Sequence, residues 1–527
     1  MTVGDAVDLN VAIIGGGLAG NLLARQLRRS APELSVGVFE KSTERSFKVG
    51  EATVEIQASY LIRRQGLTQY LYESHLPKNG LRYFFDDCDR SLQIHRMGEM
   101  GTDGLPLHPS FQLDRARFEA DLLDMNRRDG VRVREGVQVT GIELGAGGEP
   151  HRFRVRGGSG GTTTSHSCRW LVDASGRAGL VAGIADLRVR EEIHRVGSVW
   201  GRFENVADID EAGTEEWRAA VRHTSRRLST SHFWYPGYWI WMIPLRGGLI
   251  SMGVTGKRVA QKKGLRTPEG FRAFLDEHRA IRDLLADAKM VDVSSYSQIA
   301  YGTRRFFHPD RWGLTGEAAT SLDPFYSPGG DFIALENDFL VDLIRRDFAG
   351  EDRAALAEQC DLYDRFMKFR HEATLLLFRN LYDCMGSMEL ARVKWDFDIG
   401  CYYNLWVHSY MRDEHLNPSW LRRQLRLEEL VLQSLRNFSD LFQQCEAALR
   451  TRGEYFRENE GCFYHGLNHI DFVEEVGQPR TRKEVFRRQA KIFNSVRNQL
   501  LSILDRESGE CHEELPLTTF LLDRPLA

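Results

Sequence analysis

Lysine is scarce in this chain: eleven residues among 70 basic side chains, the rest being arginine. A lysine at a special position is therefore less likely to be incidental. The eight cysteines are scattered and none forms a CxxC pair, which argues against a zinc site or a disulfide framework. No metal is expected. No apolar run reaches the ~18–20 residues of a membrane helix. The net charge of −4 leaves no global push toward nucleic acid or a membrane surface. Repeats and low-complexity linkers are missing too. The opening MTVGDAVDLN is acidic and polar, unlike a signal peptide. The expectation is a cytoplasmic protein without nucleic-acid or membrane partners.

What is present begins at NVAIIGGGLAGNLLARQLRRS. Val11 to Ile14 read as a buried strand, Gly15, Gly17 and Gly20 as GxGxxG, and Leu18, Leu22, Leu23 and Leu27 as one face of a helix. The first glycine permits a tight turn, the second lets backbone approach a pyrophosphate, and the third lets helix and strand pack closely. Free amides and the dipole at the helix start would hold the phosphates. SVGVFEK supplies a second strand ending in Glu40, ~20 residues on, where a ribose-binding acid belongs. A dinucleotide is expected.

Two later stretches repeat the strand-then-turn texture. RWLVDASGRAG ends a hydrophobic strand at Asp173, and RWGLTGEAATSLDPFYSPGGDFIALEN places one glycine turn at Gly316 and a second before a helix. Long insertions therefore separate the pieces of one nucleotide fold. This layout resembles the FAD-dependent aromatic monooxygenase fold. The resemblance implies an α/β protein: an interrupted Rossmann-like FAD-binding domain with an inserted substrate-binding β-sheet, plus a helical C-terminal region. The expected boundaries are 1–340 for the core, with the inserted sheet at about 50–115 and 185–305, and 341–527 for mainly helical structure closing the substrate chamber. It also implies FAD contacts from Gly15, Gly17, Ala19, Gly20, Glu40, Lys48, Glu51, Arg115, Val139, Asp173, Gly316, Glu317 and Gly330. Glu317 stands where that fold usually has aspartate. Arg115 reads equally well as a surface charge beside Glu119.

In YWIWMIP, strand alternation sends Trp239, Trp241 and Ile243 to one face and Tyr238, Ile240 and Met242 to the other. Both faces are bulky, so the strand is expected to be covered on both sides. Trp239 to Pro244 match the WxWxIP signature of flavin-dependent halogenases, a branch of the same fold. The resemblance implies that Trp239, Trp241, Ile243 and Pro244 form a wall between flavin and substrate; the plainer reading is a core strand. Lys78, in a Pro-Lys-Asn-Gly bend after Gly50-Glu51, matches the family's essential lysine, against the plainer reading of a solvated turn.

DPFYSPGGDF resembles the loop of halogenases that act on phenols. It implies a halide held near Pro328, Gly329 and Gly330, although Pro328 brings no N–H, and substrate contacts from Phe325, Tyr326 and Ser327. Tyr326 replaces the glutamate of tryptophan halogenases, which argues against tryptophan as substrate.

The implied activity is FADH2- and O2-dependent chlorination or bromination of a phenolic ring through a flavin hydroperoxide, hypohalous acid and a lysine relay. The implied partners are a small aromatic phenol, free or tethered to a carrier protein, and a separate NAD(P)H flavin reductase; a homodimer is allowed. The rival readings are a flavin-dependent aromatic hydroxylase and a non-catalytic FAD-fold binder. Asp86-Asp87 and Arg345-Arg346 read as solvated surface, and Leu421, Leu425, Leu430 and Leu435 as one helix face behind an Asn417 N-cap.

Overall fold

Hydrophobic runs with no polar alternation need cover on both faces, and the first sheet provides it. Strand β1 (Leu9–Ile14) is buried almost throughout and lies between two parallel neighbours, β2 (Val36–Phe39) and the strand Thr163–Asp173. Val11 stands opposite Trp170, and Ile14 opposite Asp173. Trp312–Leu314 and Arg132–Arg134 extend this eight-stranded sheet in parallel on the two sides. The turn from β1 into helix α1 (Leu18–Ser30) is Gly15 at φ +109°, where a Cβ would collide with the Ala174 carbonyl. A Cβ at Gly20 would strike the Gly15 carbonyl, so both positions are closed to larger residues.

This computed structural model describes residues 8–102, 104–157, 161–257, 259, 262–464, 475–506 and 517–522. The acidic start, residues 1–7, and Cys511 lie outside them. Among the described residues, no helix is long and apolar enough to cross a membrane.

The second sheet has nine strands. Its centre is β3 (Leu81–Phe85), β4 (Thr230–Tyr235), β5 (Tyr238–Pro244) and β6 (Ile250–Gly256). β5 and β6 form a hairpin whose bend uses Gly247 and Gly248, both at positive φ. The two faces of β5 feed two separate cores. Tyr238, Ile240 and Met242 pack with Phe84, Phe233 and Phe271. Trp239, Trp241 and Ile243 pack with Tyr83, Trp234, Phe325, Tyr382 and Trp395, toward the helices. Gly253 opposite Trp241 makes room for its indole, since a Cβ there would lie inside the ring.

The remainder is helical: α2 (Pro328–Phe348), α3 (Arg353–Leu376), α4 (Met388–Cys401), α5 (Pro418–Arg426), α6 (Glu428–Thr451) and α7 (Arg482–Leu504). Asn417 caps α5, its side chain accepting from the Ser419 and Trp420 amides, with Pro418 at the first helical position.

Three local expectations need correction. The leucine run divides at Leu427, which leaves helical geometry between α5 and α6. Asp86 is buried, not solvated: it accepts from the Asp87 and Leu92 amides and from the Tyr235 hydroxyl. Burial pushes its carboxyl up to about 6. Gly329 and Gly330 do not precede a helix but form its first turn, behind Ser327 at φ 53° and Pro328. The amide end of the Gln57 side chain occupies the space a Cβ of Gly330 would need, so a larger residue there would have to displace Gln57.

Candidate active site

Two regions frame the site: the glycine turn of the first sheet, and a cavity of about 950 Å³ between the second sheet and the C-terminal helices.

At the glycine turn, Gly17 begins α1 with no side-chain cap, and a Cβ there would meet nothing within 4 Å. Gly15 and Gly20 are closed by protein while Gly17 faces open space. That is the asymmetry a phosphate-binding turn needs, and these residues fit a dinucleotide. Glu40, ending β2, accepts from the Gly16 amide at 2.7 Å and from the Ser42 amide at 2.8 Å. Gly316, at φ 63°, abuts Ala19, bringing the third segment against α1. Glu317 is half-exposed, 3.4 Å from Arg177. A valine at Gly17, where the protein leaves open space, is expected to abolish FAD retention while far-UV circular dichroism stays close to wild type; bound flavin absorbance after gel filtration checks it.

The other expected cofactor residues divide. Asp173 is buried and bonds to the Ser175 and Val181 amides at 3.0 and 2.7 Å. Val139 is core. Arg115 donates to the Val49 carbonyl at 2.8 Å and pairs with Glu119, so it clasps the 49–50 segment to its own helix; Lys48 pairs with the same Glu119. Glu51 is turned into the second sheet, held by Arg202 at 2.6 Å. Buried as it is, its carboxyl is raised despite that guanidinium.

Lys78 does not reach bulk water. It is 4% exposed, lines the cavity, and donates from Nζ to the Thr53 carbonyl at 2.8 Å. Gly80, at φ 84°, makes the bend that turns it inward before β3. Burial pulls the amine down to about 8, with Glu55 and Asp331 opposing the fall. Both carboxylates also line the cavity. Asp331, in the first turn of α2, accepts from the Gln57 amide and the Tyr402 hydroxyl at 2.9 Å each, and burial raises it to about 7. Tyr403 donates to Glu55.

Trp239 and Trp241 are buried and lie 5.5 Å apart by ring centroids. Neither touches the cavity. Phe325 lies 5.2 Å from Trp239 and 4.2 Å from Tyr326, and Tyr326 reaches the cavity. The aromatic side chains are therefore layered toward the cavity: Trp239, then Phe325, then Tyr326. The Trp239 indole donates to Tyr382, which donates to Asp323; the same carboxylate meets His194 at 2.6 Å. His232 sits 5.3 Å from Trp239, stacks on Tyr83 and is lowered to about 3 by burial and then by Lys78. It thus bridges tryptophan layer and lysine. Ile243 and Pro244 close the same strand at its buried end. Pro328 lines the cavity, and a Cβ at Gly329 would meet nothing within 4 Å. Ser327 holds the turn that joins Tyr326 to α2.

Sequence reasoning expected the helical third to close the chamber and left the Tyr402-Tyr403 pair open between lining and packing, but it did not identify the other lining residues. Tyr402, Tyr403, Trp406, Leu430 and Leu435 face the cavity, so part of the apolar stripe of α6 borders space as well as core. Asp398 lines it too, accepting from Tyr326 at 2.8 Å and from Lys394 at 2.6 Å. The only signal in the sequence was Lys394 four residues before Asp398 in a lysine-poor chain, a spacing that suits an ion pair on one helix face without revealing its burial.

The family model described as FAD binding domain matches residues 8–329. Among curated relatives, a flavin-dependent halogenase, chlA, of Dictyostelium discoideum is 27% identical over 78% of this chain and 72% of its own. A 1H-pyrrole-2-carbonyl-[peptidyl-carrier protein] chlorinase of Pseudomonas fluorescens is 25% identical over 61% of this chain and 72% of its own. Among solved structures, halogenase PltM in complex with phloroglucinol and FAD superposes with TM-score 0.64 at 17% identity, covering 94% of this chain and 98% of that one. CmlS, a flavin-dependent halogenase, gives 0.57 at 20%, covering 93% and 78%.

Proposed function

Because the chain belongs to the FAD binding domain family and is a flavin-dependent halogenase, we propose that its acceptor is an electron-rich phenolic ring and that Lys78 delivers the halogen to it. The observation that carries this reading is the placement of Lys78: a buried amine, lowered to about 8, facing a cavity of about 950 Å³ that has room for a multi-ring acceptor, with layered aromatic side chains beside it. Gly15, Gly17, Gly20, Glu40 and the Gly316 turn would hold FAD, while Gly329 and the start of α2 would hold the halide. Reduced FAD from a separate reductase, when bound, supplies the O2-derived oxidation of chloride or bromide to hypohalous acid.

The chain's own residues do the rest. Trp239, Phe325 and Tyr326 keep the acceptor ring from the cofactor side, so oxygen transfer to it is suppressed. The neutral Nζ of Lys78 attacks the halogen of hypohalous acid; the N–X bond forms as O–X breaks, and the departing hydroxide takes the proton of the Asp331 carboxyl and leaves as water. A ring carbon then takes the halogen as X⁺, returning the N–X electron pair to Nζ. Asp331, poised near neutrality, accepts the ring proton. In the other form of the relay, the Lys78 ammonium hydrogen-bonds hypohalous acid and polarises it toward the ring. The acceptor arrives free or tethered to a carrier protein.

Two measurements test the reading. Incubation with FAD, a flavin reductase, NADH, bromide and a panel of phenols is expected to yield brominated products by mass spectrometry; a product heavier by one oxygen instead would make the protein a hydroxylase, and no turnover would leave a binder. The pH profile separates the two relay forms. Since Lys78 loses its proton near 8, the amine route predicts a rate rising roughly tenfold between pH 7 and pH 9. A rate that falls across that interval assigns the ammonium route.

A further inference from the structure

Arg370 is the buried cation that the lysine chemistry leaves unused. It projects from α3, is 4% exposed and lines the cavity. No described residue gives its guanidinium a hydrogen bond or an ion pair, and its Nε is fully buried without a partner. It lies over the face of Trp406, 3.7 Å from the ring centroid, with Asp331 and Tyr402 as its electrostatic neighbours. The neighbouring carboxylate, Asp331, is engaged by Gln57 and Tyr402. Three other buried arginines are clasped by carboxylates: Arg82 and Arg226 by Glu99, and Arg202 by Glu51. A guanidinium this buried, with Nε sealed off and Nη1 and Nη2 given no protein acceptor among the described residues, is costly unless something in the cavity meets those donors. Burial accordingly pulls it down to about 10.

The surroundings narrow what arrives. Phe332, Ala373, Leu377 and Trp406 make the walls around it apolar. Asp398, also on the cavity, has one oxygen held by Lys394 and Tyr326 and the other, Oδ1, buried without a partner. An anion is therefore drawn toward Arg370 and repelled from Asp398, which suits a hydroxyl donor. We propose that Arg370 is a specificity-determining residue that receives an anionic oxygen of the acceptor molecule, with a planar fork geometry matched to a carboxylate or phenolate. The acceptor class is thereby narrowed from neutral phenols to acidic ones. The proposal rests on the halogenase reading for the identity of the cavity, but its test needs no turnover.

Calorimetric titration of the FAD-loaded protein, without halide or NADH, with 2,4-dihydroxybenzoate, its methyl ester and resorcinol reads the site directly. If the anion is a carboxylate, the wild type is expected to bind the acid at least about tenfold more tightly than the ester. Arg370→Gln is then expected to weaken the acid on the order of 30-fold and leave the ester unchanged. If the anion is a phenolate, resorcinol is expected to bind more tightly as pH approaches its own ionisation in the wild type, and not in Arg370→Gln. Arg370→Lys keeps the charge without the fork and is expected to fall between; it serves if the glutamine variant does not fold. Equal binding of acid and ester with no pH effect on resorcinol overturns the proposal. So does a glutamine variant whose halide dependence changes while its acid-to-ester ratio does not. Bromination of the panel, measured in parallel, reports on the reaction itself: binding as expected without bromination would sink the halogenase reading and leave Arg370 standing.

Discussion

Lys78→Met is expected to lower halogenation by roughly 10³-fold or more, keep its FAD, and yet be more stable than the wild type at pH 7. The amine titrates near 8 in the fold against 10.5 when free, so between those values the unfolded chain binds more protons and stability rises with pH. Below about 8 the full cost of burying the ammonium is present, about 3 kcal/mol; it falls as pH rises from about 8 and is gone above 10.5. Methionine removes that cost but strands the Thr53 carbonyl that Nζ now meets, returning about 1 kcal/mol. The net gain is about 2 kcal/mol at pH 7, shrinking and then reversing above pH 10. Urea unfolding at pH 7 and pH 10, beside turnover, checks both halves. A variant destabilised at pH 7 would mean that Lys78 is a structural partner and not a strained functional group.

Glu99→Ala is expected to cost about 3–5 kcal/mol of stability, the largest loss from any single truncation considered. Glu99 is fully buried between two arginines that are buried as well: Arg82, one residue into β3, and Arg226, 2.8 Å away and seated on the Trp217 ring at 3.6 Å. Removing the carboxylate leaves two guanidinium charges without compensation. The damage reaches the site by a short path. Arg82 also holds the Thr102 carbonyl, and Gly80, Leu81 and Thr102 line the cavity next to Lys78. Glu99→Gln keeps an acceptor and is expected to lose about half as much. Denaturant midpoints at constant m-value give the comparison.

The sequence carried the first sheet, the β5–β6 hairpin and the inward lysine for identifiable reasons. A glycine needed for close approach leaves a fixed spacing, as at Gly15 and Gly20. A strand covered on both sides leaves bulk at every position, as in Tyr238–Pro244, and strand alternation then assigns Trp239 and Ile240 to different cores. The helical third was legible only as helix. A 3.6-residue apolar period reports that a face is hidden from water but not from what, so Leu430 and Leu435 gave no sign that they border a cavity. Arg370 and Asp398 are single polar residues inside such faces, and their pairing state exists only in three dimensions. Asp86 was misplaced because a charged pair reads as surface; its amide and Tyr235 partners come from residues that periodicity does not connect. The tryptophan strand was placed correctly as a buried element, but Phe325 and Tyr326 stand between it and the cavity.

The central claim is that a diffusible oxidant is kept inside the protein and spent at Lys78. The most direct measurement adds an excess of a hypohalous-acid scavenger such as methionine to the bromination reaction and follows yield and regiochemistry. The account predicts a single product in unchanged yield, because the oxidant never meets bulk solvent. Loss of product in proportion to scavenger would contradict it.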